Sequence, residues 1–265
     1  MNGLTLALAD GAIVAKRNLI KIRRVPDILV FTLMSPIMFV LLFAYVFGGS
    51  INVPGGVNYR EFLLAGIFVQ TVIFGATFSG AGMADDMQKG IIDRFRSLPM
   101  SPAAVLVGRT GSDIVNNVLS LGVMSVTGLL VGWRIRTSVP EALAGFLLVL
   151  AFAYAVSWVM TYVGLIVPTP EVVNNASFMV IFPITFVANT FVPAQNLPSV
   201  LRTFAEWNPV SAVAQAAREL FGNAGAASGA WSLEHPVLYT LIWIGIILAV
   251  FVPLSVRRYQ QKANQ

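Results

Sequence analysis

The chain has no cysteine, one histidine and four lysines in 265 residues. Without cysteine there is no disulfide framework, no thiolate metal site and no thiol nucleophile. His235, set between Glu234 and Pro236, excludes a pair of histidine metal ligands and leaves little room for a Ser-His-Asp arrangement. It reads as an interface residue at the edge of the last apolar run. The lysines are followed by Arg17, Ile22, Gly90 and Ala263, so there is no G-K-[ST] phosphate loop and no ATP hydrolysis by that route. Charge is also scarce, at 11% of residues, where ordinary soluble domains carry roughly 25%. With 57% hydrophobic residues and a mean hydropathy of +0.77, most of the chain belongs in a bilayer. The pI of 9.8 does not point to nucleic acid, because the basic residues fall in short clusters between apolar runs. The first 27 residues lack a clean apolar core followed by an A-x-A site, so no cleavable signal peptide is expected.

What is present is a series of long apolar runs, at 28–47, 62–82, 113–132, 142–167, 173–192 and 236–256. Each is long enough as a helix, at about 1.5 Å per residue, to cross ~30 Å of hydrocarbon. The expected fold class is therefore an all-α integral membrane protein with six transmembrane helices in one permease domain spanning 1–265. The second and third runs are the least apolar, carrying Gln70, Thr71, Thr77 and Ser79, then Asn116, Asn117, Ser120 and Ser125. With the N-terminus inside, inner segments hold 12 basic residues and outer ones only Arg60, Arg134, Arg136, Arg202 and Arg218. The positive-inside bias puts both termini in the cytoplasm.

Three segments outside the runs have patterns of their own. Within residues 1–27, Leu8, Ala12, Ala15, Leu19 and Ile22 form an apolar stripe opposite Arg17, Lys21 and Arg24, as in an amphipathic helix lying on the inner membrane surface. Residues 83–102 concentrate Asp85, Asp86, Lys89, Asp93, Arg94 and Arg96. Met87, Ile91, Phe95 and Leu98 share one face of a short helix there, and Lys89 can pair with Asp93 four residues on. Gly90 is expected to bend the chain away from the second run, and Pro99 to stop the short helix. The long outer loop, 193–235, should hold one helix from Pro198 to Glu206. A second opens at Asn208-Pro209, with Asn as N-cap, and runs to about Leu220. The FGNAGAASGAW stretch that follows reads as flexible.

Ionisable groups inside the runs are few. Asp113 and Glu171 sit near the starts of the third and fifth runs, where a helix N-terminus favours an anion, and both read as caps. No ionisable group falls near the middle of a run, which argues against a proton- or sodium-driven carrier. The polar and aromatic residues Gln70, Thr71, Phe74, Asn174, Asn175, Phe178, Thr185 and Asn189 are candidates to line a pathway for an amphiphile. For the polar ones, hydrogen bonding between helices is the competing reading.

The stretch DDMQKGIIDRFRSLPMSP after the second run, G-R-T at 108–110, W-N-P at 207–209 and A-R-E-L at 217–220 together resemble the membrane subunit of type-2 ATP-binding-cassette exporters, daunorubicin/doxorubicin-resistance type. The resemblance covers essentially the whole chain. It implies that the loop, through Met87, Lys89, Gly90, Ile91, Ile92, Asp93, Arg94, Phe95, Arg96, Leu98 and Pro99, docks onto a separate ATPase subunit. Two copies of that subunit would bind ATP and Mg, and this chain would hold no cofactor. It further implies a second permease copy, identical or related, in a bacterial inner membrane, and outward movement of a drug- or lipid-like substrate. A proton-coupled secondary multidrug transporter and an ATP-driven exporter of a lipid-linked glycan are the alternatives.

Overall fold

Proline and short polar side chains set most of the helix starts. The computed structural model describes residues 26–48, 50–90, 102–226 and 229–263, and among these it contains helices and no strands. The segments 1–25 and 91–101, to which the interface helix and most of the coupling loop were assigned, lie outside the described residues. Six long helices follow in chain order: α1 Pro26–Val46, α2 Tyr59–Gln88, α3 Pro102–Val131, α4 Val139–Ile166, α5 Pro170–Val187 and, last, α9 Pro236–Ala263. Between α5 and α9 come a 3-10 turn Ala194–Asn196 and three short helices, α6 Ser199–Trp207, α7 Pro209–Phe221 and α8 Trp231–Glu234. Asn58 caps α2 by accepting from the Arg60 N–H at 2.9 Å. Ser138 caps α4, its backbone N–H donating to the Glu141 carboxylate at 2.9 Å. Thr169 caps α5, and Asn208 caps α7 by accepting from the Val210 N–H at 2.9 Å.

Five helices, α2 to α5 and α9, are long and apolar enough to cross a membrane. In α1, the described stretch Met34–Val46 is apolar but shorter. The six apolar runs thus each coincide with a helix. Three of these helices overrun the hydropathy boundary, α9 by continuing past residue 256 to Ala263. α2 continues past residue 82 to Gln88, and α3 begins at Pro102 rather than 113. At 30 residues each, both measure ~45 Å, longer than the ~30 Å a bilayer core needs.

α2 is the centre of the bundle. Its most apolar window is 72% buried, against 17% in α5 and 11% in α9, whose apolar surfaces are left for lipid or a partner. Glycines let neighbours approach it closely. A Cβ at Gly80 would lie 2.6 Å from the Met160 carbonyl oxygen of α4, and at Gly164 there is no room for one beside the Gly80 carbonyl. Lys89 is the C-cap of α2, and Gly90 follows with φ +63°, so α2 ends at the glycine; the short helix expected after it lies outside the described residues.

The loops 47–58, 132–138 and 188–235 gather at one end of the bundle. There Arg136 forks onto Glu61 with bonds of 3.0 and 2.7 Å, a contact that raises the guanidinium pKa. Trp133 Nε1 donates to Asn223 Oδ1 at 2.7 Å. The Ala226 N–H donates to the Pro54 carbonyl at 2.8 Å, and Gly222 closes α7 with φ +73°. Residues 221–226, expected to be flexible, are therefore pinned. The glycines and alanine that suggested looseness are there because the backbones of 53–54 and 225–226 touch, leaving no room for larger side chains. Trp207, Trp231 and Trp243 each meet the Tyr239 ring edge-on near this end, with His235 beside Trp231. Such a belt suits a membrane–water interface.

Candidate functional site

A cavity of about 770 Å³ opens between α1, α2, α3 and α5. That volume lies within the ~300–1,000 Å³ range of small-molecule sites. α2 supplies Gln70, Thr71 and Phe74, α5 supplies Phe178 and Phe182, and α1 contributes Pro36 and Phe39. Pro36 removes a backbone bond from the middle of α1 at the cavity wall. Five of the thirteen lining residues are phenylalanine, and five carry a hydroxyl or amide group.

An aromatic column leads from the cavity towards the long-loop end. Ring centroids are 6.0 Å apart for Phe74–Phe178, 5.1 Å for Phe178–Phe182 and 4.3 Å for Phe182–Phe186. The series continues at 5.0 Å for Phe186–Phe191, 4.4 Å for Phe191–Phe43 and 5.1 Å for Phe43–Phe47. The four-residue spacing of 178, 182 and 186 puts these rings on one face of α5. Flat polarisable faces in series offer contacts that any planar or branched amphiphile can use.

Of the residues expected to line a pathway, the structure brings Gln70, Thr71, Phe74 and Phe178 to the cavity. The others go elsewhere. Asn174 and Asn175 are exposed on the surface of α5. The Thr185 hydroxyl donates to the carbonyls of its own helix, Ile181 at 2.9 Å and Phe182 at 3.1 Å. Asn189 is buried beyond the end of α5, where it accepts from Arg218.

Arg218 is the largest departure from the sequence reading, which counted it among the charges of the outer segments without giving it a structural role. It is fully buried. Its guanidinium donates to the carbonyls of Phe62 at 2.9 Å, Asn189 at 2.8 Å and Thr190 at 3.1 Å, and to Asn189 Oδ1 at 3.1 Å. It lies 3.5 Å from the Phe62 ring centroid. Among the described residues no carboxylate accepts from it. Asn189 and Thr190 carry carbonyls just beyond the C-terminus of α5, the negative end of that helix, and a cation there is favoured. Arg218 thus ties α7, α2 and the end of α5 together beside the aromatic column. The sequence signal was the helix VSAVAQAAREL, which is too poor in polar residues to have a solvated face.

At the opposite end, Met87 packs on the last turn of α2 against a cluster holding Met83, Leu106, Trp158 and Tyr259. Lys89 pairs with Asp85, four residues before it, at 2.8 Å, which raises the ammonium pKa. Asp93, the partner expected for it, and Ile91, Ile92, Arg94, Phe95, Arg96, Leu98 and Pro99 lie outside the described residues. Gly90 separates Met87 from the rest of the expected stripe. Asp113 is not a cap. α3 starts eleven residues before it, and its buried carboxylate accepts from the Ser79 hydroxyl on α2. Glu171 does sit in the first turn of α5. No group of three His, Cys, Asp or Glu able to hold a metal ion occurs among the described residues.

The model of the ABC-2 type transporter family matches residues 11–221. The daunorubicin resistance ABC transporter permease protein DrrB1 of Streptomyces coeruleorubidus is 31% identical over 246 residues, covering 93% of this chain and 84% of the relative. The probable doxorubicin resistance ABC transporter permease protein DrrC of Mycobacterium tuberculosis is 25% identical over 222 residues, 83% of this chain and 78% of the relative. The doxorubicin resistance ABC transporter permease protein DrrB of Mycobacterium tuberculosis is 25% identical over 208 residues, 78% and 71% of the two chains.

Proposed function

Because the chain belongs to the ABC-2 type transporter family, we propose that it is the membrane subunit of an ATP-binding-cassette exporter. It moves an amphiphilic, drug-like substrate outward and is powered by a separate ATPase. The cavity of about 770 Å³ at the foot of an aromatic column is the observation that carries this reading beyond family membership. Gln70, Thr71, Phe74 and Phe178 receive the substrate, and the column from Phe178 to Phe47 offers it successive apolar faces.

In this account all six long helices span an inner membrane as one permease domain, with both termini in the cytoplasm. Residues 1–27 lie on the inner surface and 193–235 on the outer one. Segment 83–102 is the handle for the ATPase, of which two copies bind ATP and Mg. A second permease copy completes the complex. Two relatives in one organism, both named as doxorubicin resistance permeases, keep a heterodimer beside the homodimer.

The test is co-purification. A tagged chain extracted in mild detergent should bring down a soluble ATPase. Arg94→Ala and Phe95→Ala should weaken that capture and abolish drug efflux while the chain still inserts. Undiminished efflux with both replaced would refute the docking assignment.

A further inference from the structure

α2 and α3 are joined by the segment assigned to ATPase docking, and they share a polar seam that neither packing nor capping requires. On α3, Arg109, Asp113 and Asn117 recur every four residues and occupy one face. Facing them on α2 stand Asp86, Gly82, Ser79 and Gly75. Arg109 Nη1 is 3.6 Å from Asp86 Oδ2, and Nη2 donates to the Phe78 carbonyl at 3.0 Å. The guanidinium crosses α2 at Gly82, where a Cβ would overlap it. One turn on, the Ser79 hydroxyl donates to Asp113. One turn further, Asn117 Oδ1 lies 3.0 Å from where a Cβ of Gly75 would stand. Asp86, Ser79, Asp113 and Asn117 are all buried. Gly75 and Ser120 then form part of the cavity wall. The seam runs unbroken from the last turn of α2 to the cavity.

Charges within spans are costly to bury, and well-packed apolar residues would hold two helices together at least as well as a buried ion pair. What the seam adds is register. A guanidinium fixed over one glycine and a carboxylate fixed on one hydroxyl permit one alignment of the helices and oppose sliding. We propose that the seam is the transmission element of the exporter: it locks α2 to α3, so a displacement of segment 89–101 reaches the cavity wall as movement of one two-helix unit. Arg109, Asp86, Asp113 and Ser79 are positioning residues that do not contact the substrate. The proposal rests on the docking role of that segment, and its test separates the two.

The absence of cysteine from the chain gives a clean background. In the complex with its ATPase, reconstituted in liposomes, three quantities are read: co-purification, ATP hydrolysis, and drug moved per ATP. Arg109→Met should leave the first two unchanged and lower drug moved per ATP by about tenfold or more. In Ser79→Cys with Asp113→Cys, the reduced protein should show the same loss, and oxidation to the disulfide should restore transport, because the cross-link replaces the lost contact. Two results would overturn the proposal: oxidation that abolishes transport remaining in the reduced form, which requires α2 and α3 to slide, or wild-type drug movement per ATP in Arg109→Met. Failure of the unmodified chain to capture an ATPase would instead strike the docking assignment, and would remove the proposal with it.

Discussion

Replacing Gly80 with alanine tests how tightly α2 is held. A Cβ at this position would lie 2.6 Å from the Met160 carbonyl oxygen and 3.0 Å from Val173 Cγ1. An ordinary carbon–oxygen contact is about 3.3 Å, so α4 must retreat by about 0.7 Å. A gap of that size forfeits roughly a quarter to a half of each dispersion contact along the crossing. Because the clash is with backbone, no side-chain rotation relieves it, and overpacking of this kind costs about 1–3 kcal/mol. Alanine also gains up to about 1 kcal/mol in helix propensity, which must be removed from the comparison. Gly245 of α9 supplies the control, because a Cβ there meets nothing within 4 Å. In mixed micelles titrated with SDS and followed by tryptophan fluorescence, Gly80→Ala should unfold more easily than Gly245→Ala by about 1–3 kcal/mol. Equal stability of the two variants would show that α2 and α4 are not in contact as described.

Substitutions at two further sites probe the long-loop end in the same assay. Arg218→Met leaves three backbone carbonyls and one amide oxygen without their donor and should cost on the order of 3 kcal/mol. Arg218→Lys should rescue little of it, because an ammonium cannot reproduce the guanidinium fork; full rescue would contradict the cage. At the Arg136–Glu61 pair the two halves should differ. Glu61 is buried and the Arg136 side chain is 61% exposed, so Arg136→Ala strands a buried carboxylate, whereas Glu61→Gln frees a cation that water can solvate. Arg136→Ala should be the more destabilising; the reverse order would refute the geometry.

Much of the fold was legible because hydropathy and local caps act within a few residues of chain. The six apolar runs each became a helix, Asn208-Pro209 opened α7, and α2 ended just before Gly90. Helix ends near the docking segment were not legible. Asp85, Asp86 and Arg109 end an apolar run by composition, but Asp86 and Arg109 face each other across two helices at 3.6 Å, and both helices continue past them. The same reason hid Asp113, whose partner Ser79 is 34 residues away. Arg218 was hidden because its partners are backbone carbonyls, which no sequence pattern marks. At the candidate site, Gln70, Thr71, Phe74 and Phe178 were named from their position in apolar runs, whereas Phe39, Phe78 and Phe182, which also line the cavity, were not. Thr185 and Asn189 looked equivalent, but one back-bonds to its own helix and the other belongs to the arginine cage.

The central claim is that ATP hydrolysis by a separate subunit drives substrate across this chain. The most direct measurement is uptake of an amphiphilic drug probe into inverted membrane vesicles containing the chain and its ATPase, with ATP present or absent and with or without a protonophore. The account predicts uptake that requires hydrolysable ATP, persists when the proton gradient is collapsed, and vanishes when the ATPase subunit is omitted. Uptake that follows the proton gradient and proceeds without the ATPase would contradict it.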